Sequence, residues 1–289
     1  MCKVEEVYRP KLLNMEEALQ LFCIKAFGRD HPESGYEELT NNILEYANGL
    51  PLAIIKLGLL LSRKSVKEWK SALVQLQRIP NRQIMDVLEK SYDELDDKSK
   101  EIFLDITCFF IGKKMDRVKE ILDSCGFPAD NGMKLLIEKS LMTILDHKVG
   151  MHNMLREMGR QIVRRAFPYE PRKWNRLWHL DDIDYVMQQN ESTAMERFEA
   201  ISLDLEDSRR ATLRIEALSR MRNLRLLIFR NVNCYGTLNS LSNKLRYVSW
   251  HQYPFTSLPS SFEPHALVEL IMPDSNIKEL WEGERCFLS

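Results

Sequence analysis

Two hydrophobic periodicities divide the chain. From about Asn14 to Phe167, apolar residues recur every three or four positions, as one buried face of a helix requires. From Phe198 onward they come in short alternating runs, the pattern of strands. In the first regime Asn14 caps a helix, with Glu17 placed to reach back as in a capping box, and Ala18, Leu19, Phe22, Ala26 and Phe27 share a face. A second helix, Tyr36 to Asn48, buries Leu39, Ile43, Tyr46 and Ala47. Gly49 is suited to be its left-handed stop, and Pro51 to be the first residue of the next helix, where a missing N–H costs nothing. Three helices on short connections make a small bundle.

Further on, the spacing predicts helices over Gln83–Tyr92, Asp97–Phe110, Asp116–Cys125 and Asn131–Ser140. A hairpin follows, Met142–Leu145 with Val149–Met151 across DHK, and then a helix from about Asn153. Helices followed by a β-hairpin are the order of a winged helix. Pro168 to Asn190, with Pro168, Pro171, Trp174 and Trp178, reads as a connector that packs.

The second regime repeats. Phe198-x-x-Ile201-x-Leu203, Leu224-x-x-Leu227-x-Phe229, Leu245-x-x-Val248-x-Trp250 and Leu267-x-x-Leu270-x-Met272 begin 26, 21 and 22 residues apart. Those intervals fall within the roughly 20–29 residues of a leucine-rich repeat. A later anchor recurs as well: Leu258 and Leu280 each lie 13 residues after the start of their repeats. Val232, Tyr253 and Ser275 occupy the usual asparagine position, so the repeats are irregular. Alternation sends the anchors inward and places Ser202 and Asp204, Ile228 and Arg230, Ser249 and His251, and Ile271 and Pro273 on a concave face. The fold expected is mainly α with an α/β repeat tail: a small helical bundle, a winged-helix domain, then a short leucine-rich-repeat solenoid.

Composition adds limits. The 289 residues suffice for two domains, and 41 basic against 42 acidic side chains remove any general electrostatic argument for nucleic acid. The start, MCKVEEVYRPKLL, is no signal peptide. The most apolar run, Leu50 to Ser62, is interrupted by Lys56 and falls short of the roughly 20 residues that span a bilayer. Six scattered cysteines without a CxxC pair suit reduced thiols, and the expected location is cytoplasmic with the nucleus as an alternative.

Catalytic signatures are missing: no phosphate-binding loop, no G-x-S-x-G, no H-E-x-x-H and no metal-ligand cluster. Asp96/Asp97 and Asp181/Asp182 read as helix-start charges rather than acid–base pairs. The winged helix raises DNA as a rival partner. Its candidate reading helix, Asn131 to Ser140, is apolar at Met133, Leu135, Leu136 and Ile137 and lacks the Arg, Asn and Gln side chains that read base edges. His152, where the hairpin hands over to the last helix, admits two readings: a hydrogen-bonded junction residue, or a ligand contact at a helix N-terminus that favours anions. Pro51 is equally open.

An ordered set of motifs then carries a family resemblance. It comprises GLPLA (Gly49 to Ala53), Glu68-Trp69, SYDELDDKSKEIFLDITCFFIG (Ser91 to Gly112), LIEKSL (Leu136 to Leu141), MHN (Met151 to Asn153) and NRLW (Asn175 to Trp178). KLRYVSWHQYPFTSLPSSF (Lys244 to Phe262) and LVELIMPDSNIKELWEG (Leu267 to Gly283) extend it. The chain resembles plant intracellular nucleotide-binding leucine-rich-repeat disease-resistance receptors of the Toll/interleukin-1-receptor class, over nearly its whole length. The resemblance implies a switch ATPase that holds ADP at rest and ATP when active. It implies Pro51 packed near the adenine, His152 on the β-phosphate, and repeats that recognise pathogen molecules and restrain the switch. The implied domains are a nucleotide-binding remnant (1–32), the helical bundle (33–82), the winged helix (83–168), a connector (169–196) and the repeats (197–289).

Three departures shape the expectation. The Toll-like domain, phosphate-binding loop and magnesium-binding aspartate are not in this sequence, and Val4 to Phe22 resembles only the tail of the nucleotide-binding subdomain. Asn153 stands where the family has aspartate, keeping the shape and losing the charge. About four repeats are present, ending at ERCFLS without a polar cap, either a liability or a partner site. We therefore expect a non-enzymatic chain with no cofactor of its own, Pro51 and His152 being vestigial cofactor contacts. Protein partners or a pathogen effector would use the concave face, and a nucleotide-binding domain would dock on the helical part, with no membrane and no nucleic acid. The rival readings are one part of an active switch NTPase completed upstream, and a winged-helix DNA-binding protein.

Overall fold

Asn14 begins the fold as its sequence suggests: its side chain accepts from the Glu17 N–H (2.9 Å) and Glu17 returns a carboxylate to the Asn14 N–H (3.0 Å). The computed structural model describes residues 13–78, 82–189, 195–205 and 210–281. Residues 1–12, Cys2, Cys286 and the ERCFLS terminus lie outside those described, as does most of the Val4–Phe22 segment's first half. The described chain forms two units, one of residues 13–94 with 152–158, the other of 95–151 with 159–281.

The first unit holds α1 (Met15–Phe27), α2 (Glu37–Ala47), α3 (Pro51–Leu61), α4 (Val66–Arg78) and α5 (Arg82–Asp93). The bundle thus has two helices beyond the three that the short connections imply. α1 lies closely on α3 at Gly58, where a Cβ would stand 2.7 Å from the Lys25 Cβ, so only glycine fits. Trp69 of α4 is the centre of this core. It is fully buried, its Nε1–H donates to the Leu61 carbonyl (2.9 Å), and its ring meets Phe22, Phe27 and Tyr36 at centroid distances of 4.9–5.7 Å. α2 ends in left-handed backbone at Asn48 (φ 42°) and continues so through Gly49 (φ 73°). The stop therefore begins one residue before the glycine, since asparagine tolerates this conformation.

The second unit starts with α6 (Asp97–Asp105), capped by Asp96, whose carboxylate accepts from the Ser99 N–H and hydroxyl. Its last turn widens into a π-helical segment, Ile106–Phe110, every residue of which is buried. α7 (Met115–Ser124) and α8 (Ala129–Glu138) follow, then the antiparallel wing β1 (Thr143–Leu145) and β2 (Lys148–Gly150). Asp146 and His147 both have positive φ, the mirror-image turn that matches strand twist in a two-residue loop. The loop is thus Asp146-His147, with Lys148 already in the strand. α9 (Asn153–Arg164) leads to β3 (Arg176–Leu177) and α10 (Leu180–Met187).

The repeat strands are β4 (Ala200–Asp204), β6 (Leu226–Arg230), β8 (Tyr247–Trp250) and β9 (Glu269–Ile271). They form one parallel sheet in the order β3-β4-β6-β8-β9. Its register is the one the repeat alignment demands: Ile201 pairs with Leu227, Leu227 with Val248, and Val248 with Leu270. Ile201, Leu227 and Val248 are buried in one continuous core, with Leu270 packed against it; each such full burial stabilises by about 1.5–3 kcal/mol. A second parallel pair, β5 (Ala211–Arg214) with β7 (Val232–Tyr235), stacks beside it. The connector supplies β3, so the sheet begins before the first sequence repeat.

Among the described cysteines, Cys23, Cys108, Cys125 and Cys234 are free thiols. Burial pushes Cys23 up to about 11 and Cys108 and Cys234 up to about 12, which keeps them protonated and unreactive.

Candidate functional site

The hairpin-to-helix junction answers the question His152 raises. Its Nδ1 accepts from the Met154 N–H (3.1 Å), so the imidazole caps α9, while its own carbonyl takes the first intrahelical bond from Arg156. A nitrogen that accepts a hydrogen bond carries no proton, and the other nitrogen is then the donor. Nε2–H accordingly points at the carbonyls of Ala47 (3.0 Å) and Asn48 (3.2 Å) at the end of α2, the first of which also accepts from the Leu50 N–H (3.0 Å). Pro51 starts α3 three residues further on, half-buried. The fold therefore gathers both sequence-singled residues at one turn, although they are a hundred positions apart in the chain.

Burial pushes the His152 imidazole below its usual range, partly opposed by the Asn48 and Ala47 carbonyls. A lowered histidine pKa means that the unfolded chain binds the proton first. The stabilisation is complete above about 6.5, the unperturbed value, and is lost as pH falls through the folded-state pKa. His152→Asn keeps a good cap and removes the titration. In urea unfolding followed at each pH, the wild-type chain should lose stability relative to this variant below pH 6.5; parallel profiles would refute the neutral assignment.

The concave face differs from a bare ligand surface. Alternation alone leaves Ser202, Tyr247 and Ser249 open to solvent, yet each is buried. They are covered within the same unit by the π-helical segment and α7, whose Phe109, Phe110 and Ile121 line a cleft of about 150 Å³ with them. Lys113 bonds Asp204 at 2.7 Å, and Arg117 pairs with Glu120 (3.0 Å) and Glu269 while lying 5.3 Å from the Tyr247 ring centre. Only the last rung, Glu269 to Ile271, stays half-exposed along its length.

Behind this contact lies a feature that motif reading missed. Asp105, wholly buried, accepts through Oδ1 from Arg176 Nε and Arg225 Nη2, both at 2.8 Å. Arg176, 0% exposed, also donates to Glu101, and Arg225 lies 5.0 Å from the centre of the Phe127 ring. Burial opposes the Asp105 charge, but Arg225 and Arg176 outweigh it and hold the carboxyl below the usual range. Arg176 is the arginine of NRLW on β3. The sequence signal was available in IFLDITCFF, where one aspartate interrupts an apolar run that a helix must bury. Among the described residues no cluster of three metal-ligating side chains occurs, and no helix is long and apolar enough to cross a membrane.

Residues 96–166 match the family described as "Disease resistance protein Roq1-like, winged-helix domain", and residues 267–285 match a leucine-rich repeat. Disease resistance protein RUN1 of Vitis rotundifolia is 38% identical over 98% of this chain, and RRS1B of Arabidopsis thaliana 37% over 99%. Over nearly its whole length the chain is similar to plant disease-resistance proteins. Its alignments cover 23% of RUN1 and 22% of RRS1B, so it spans under a quarter of the length of these curated relatives. His152 and the whole π-helical segment fall inside the Roq1-like winged-helix match, whereas Pro51 precedes it. The mainly helical fold with its repeat tail agrees with both matches.

Proposed function

We propose that this chain is the regulatory, non-catalytic part of a plant intracellular immune receptor, acting in defence signalling in the cytoplasm or nucleus. The observation that carries the reading is the winged-helix elements' hold on the repeat sheet, through Asp105 with Arg176 and Arg225 and through Lys113 with Asp204. A repeat surface held this way reports a partner's arrival by letting go. The partner, a protein or pathogen effector, meets the half-exposed last rung first and competes for the rest. The helical bundle in turn docks on a nucleotide-binding domain, whose ADP/ATP exchange the resemblance supplies.

Nucleotide affinity is negligible in the chain alone. Phosphate binding rests on a backbone cradle, a lysine and a metal site, none of which these residues provide. A neutral His152 already using both nitrogens offers a phosphate little unless it leaves the Ala47 and Asn48 carbonyls. Calorimetry of the chain with ADP and magnesium should give no binding heat, and micromolar affinity would overturn the reading. A nucleotide-binding domain of a relative, supplied as a separate chain, should co-purify with it; failure to do so removes the docking role.

A further inference from the structure

We infer that Glu269 and Tyr247, on the last two repeat rungs, form a site for an arginine side chain, and that the partner admitted there is a basic protein segment. The inference rests on the release reading above and names what the partner must carry. The chain fills the site with a residue of its own. Arg117, in the first turn of α7, pairs with the Glu269 carboxylate while its guanidinium carbon lies 5.3 Å from the centre of the Tyr247 ring. Tyr247 on β8 and Glu269 on β9 are register partners, so both side chains leave the same face of the sheet. A carboxylate beside an aromatic ring suits a guanidinium in particular, because that flat cation stacks on the ring and donates hydrogen bonds within its own plane.

The charges across this contact have a polarity. Both cations, Lys113 and Arg117, come from the helical side, and both carboxylates, Asp204 and Glu269, come from the repeats. Release leaves them unequally provided for. Lys113, 48% exposed, returns to water, Asp204 retains Arg230 at 3.9 Å, and Arg117 retains Glu120 at 3.0 Å. Glu269 pairs with no other cation among the described residues, so of the two carboxylates it alone is left uncompensated. It also lies on the half-exposed rung that a partner meets first. The exchange is cheap, because the Arg117 and Glu269 side chains are 34% and 30% exposed and ion pairs open to solvent contribute little net stability. An acidic partner meets repulsion at Glu269, and a neutral one leaves its charge unanswered. An arginine restores both contacts that Arg117 gives up.

The test is fluorescence polarisation with a labelled peptide copied from Ile111 to Lys119, which includes Arg117, and with the same peptide holding citrulline, the neutral isostere of arginine, at that place. Arg117→Ala in the full chain vacates the site and leaves the Asp105 triad intact. Circular dichroism checks its fold, and Arg117→Gln replaces it if alanine disturbs α7. The arginine peptide should bind Arg117→Ala saturably, and the citrulline peptide about tenfold or more weakly, the ratio expected for losing a charge-assisted hydrogen bond. The wild-type chain should bind the arginine peptide more weakly by a similar factor, because its own Arg117 competes at high local concentration. Adding Glu269→Gln to Arg117→Ala should weaken the arginine peptide and leave the citrulline peptide unchanged. No saturable binding to Arg117→Ala, equal affinity for the citrulline peptide or for the wild-type chain, or indifference to Glu269→Gln each overturns the site. Amide exchange in α7 of the wild-type chain at saturating peptide separates the site from the release reading. Arginine-dependent binding with α7 still protected keeps the site and removes release, whereas loosening of α7 by both peptides alike keeps release and removes the site.

Discussion

Asp105→Ala lowers the stability of the second unit by about 3–5 kcal/mol, because it leaves two buried guanidinium groups facing an apolar hole. Both arginines lose a 2.8 Å bond at once, and Arg176 has no route to water. Asp105→Asn retains the shape but not the charge and should fall between the two. Urea unfolding followed by hydrogen exchange of the repeat-strand amides reads the loss directly. The contrast with the triple replacement Asp105→Leu, Arg176→Met, Arg225→Met is the sharper part. Burying charges costs several kcal/mol per ion, and a well-packed apolar substitute often equals or exceeds an ion pair in stability. The triad is also imperfect, since Asp105 Oδ2 and Arg176 Nη1 are buried without a hydrogen-bond partner among the described residues. The triple variant should therefore be more stable than Asp105→Ala; if it is equally unstable, the pairing contributes beyond charge compensation. As a control, Glu120→Ala at the exposed Arg117 pair should change stability by about 1 kcal/mol or less. The pH dependence has the opposite origin from that of His152 but the same direction. A depressed carboxyl pKa stabilises above the unfolded value near 3.9 and is lost in acid, well below the histidine window.

Trp69→Ala should cost about 3–5 kcal/mol in the first unit, through the lost transfer energy of a fully buried indole and the cavity left among Phe22, Phe27 and Tyr36. The Leu61 carbonyl loses its indole donor as well. Trp69→Phe should lose less, because the smaller ring keeps part of the packing and the Leu61 carbonyl still accepts from the Lys64 N–H (3.2 Å). Amide exchange in α1, α3 and α4 should accelerate while the repeat strands keep their protection, because the two units have separate cores. Uniform acceleration along the whole chain would show instead that the units unfold together.

Much of the local structure was legible. The Asn14–Glu17 box, Pro51 at a helix start and a wing turning across Asp146 to Lys148 each follow from backbone chemistry within a few residues, the structure shortening that turn to Asp146-His147. The strand register was legible over longer range because a one-residue slip would turn Leu227 and Val248 away from the core. Two local details were not. The helix over Asp97–Phe110 widens at Ile106, which no periodicity in so uniformly apolar a run could indicate, and β3 is too short to announce itself against the tryptophans around it.

The candidate sites show where such reading ends. The sequence by itself determined the kinds of element, their caps and the repeat pitch, since these depend on side-chain spacing and on which backbone angles each residue tolerates. The tertiary structure alone decided what the buried polar groups do. His152 finds its carbonyl acceptor 105 residues away, and Arg176 its carboxylate 71 residues away. It also decided that Ser202 and Ser249, outward by alternation, face a cleft rather than solvent. The physical reason is that periodicity is a short-range property of the chain, whereas burying a charge or a hydroxyl is governed by whichever distant group packing brings within 3 Å or so.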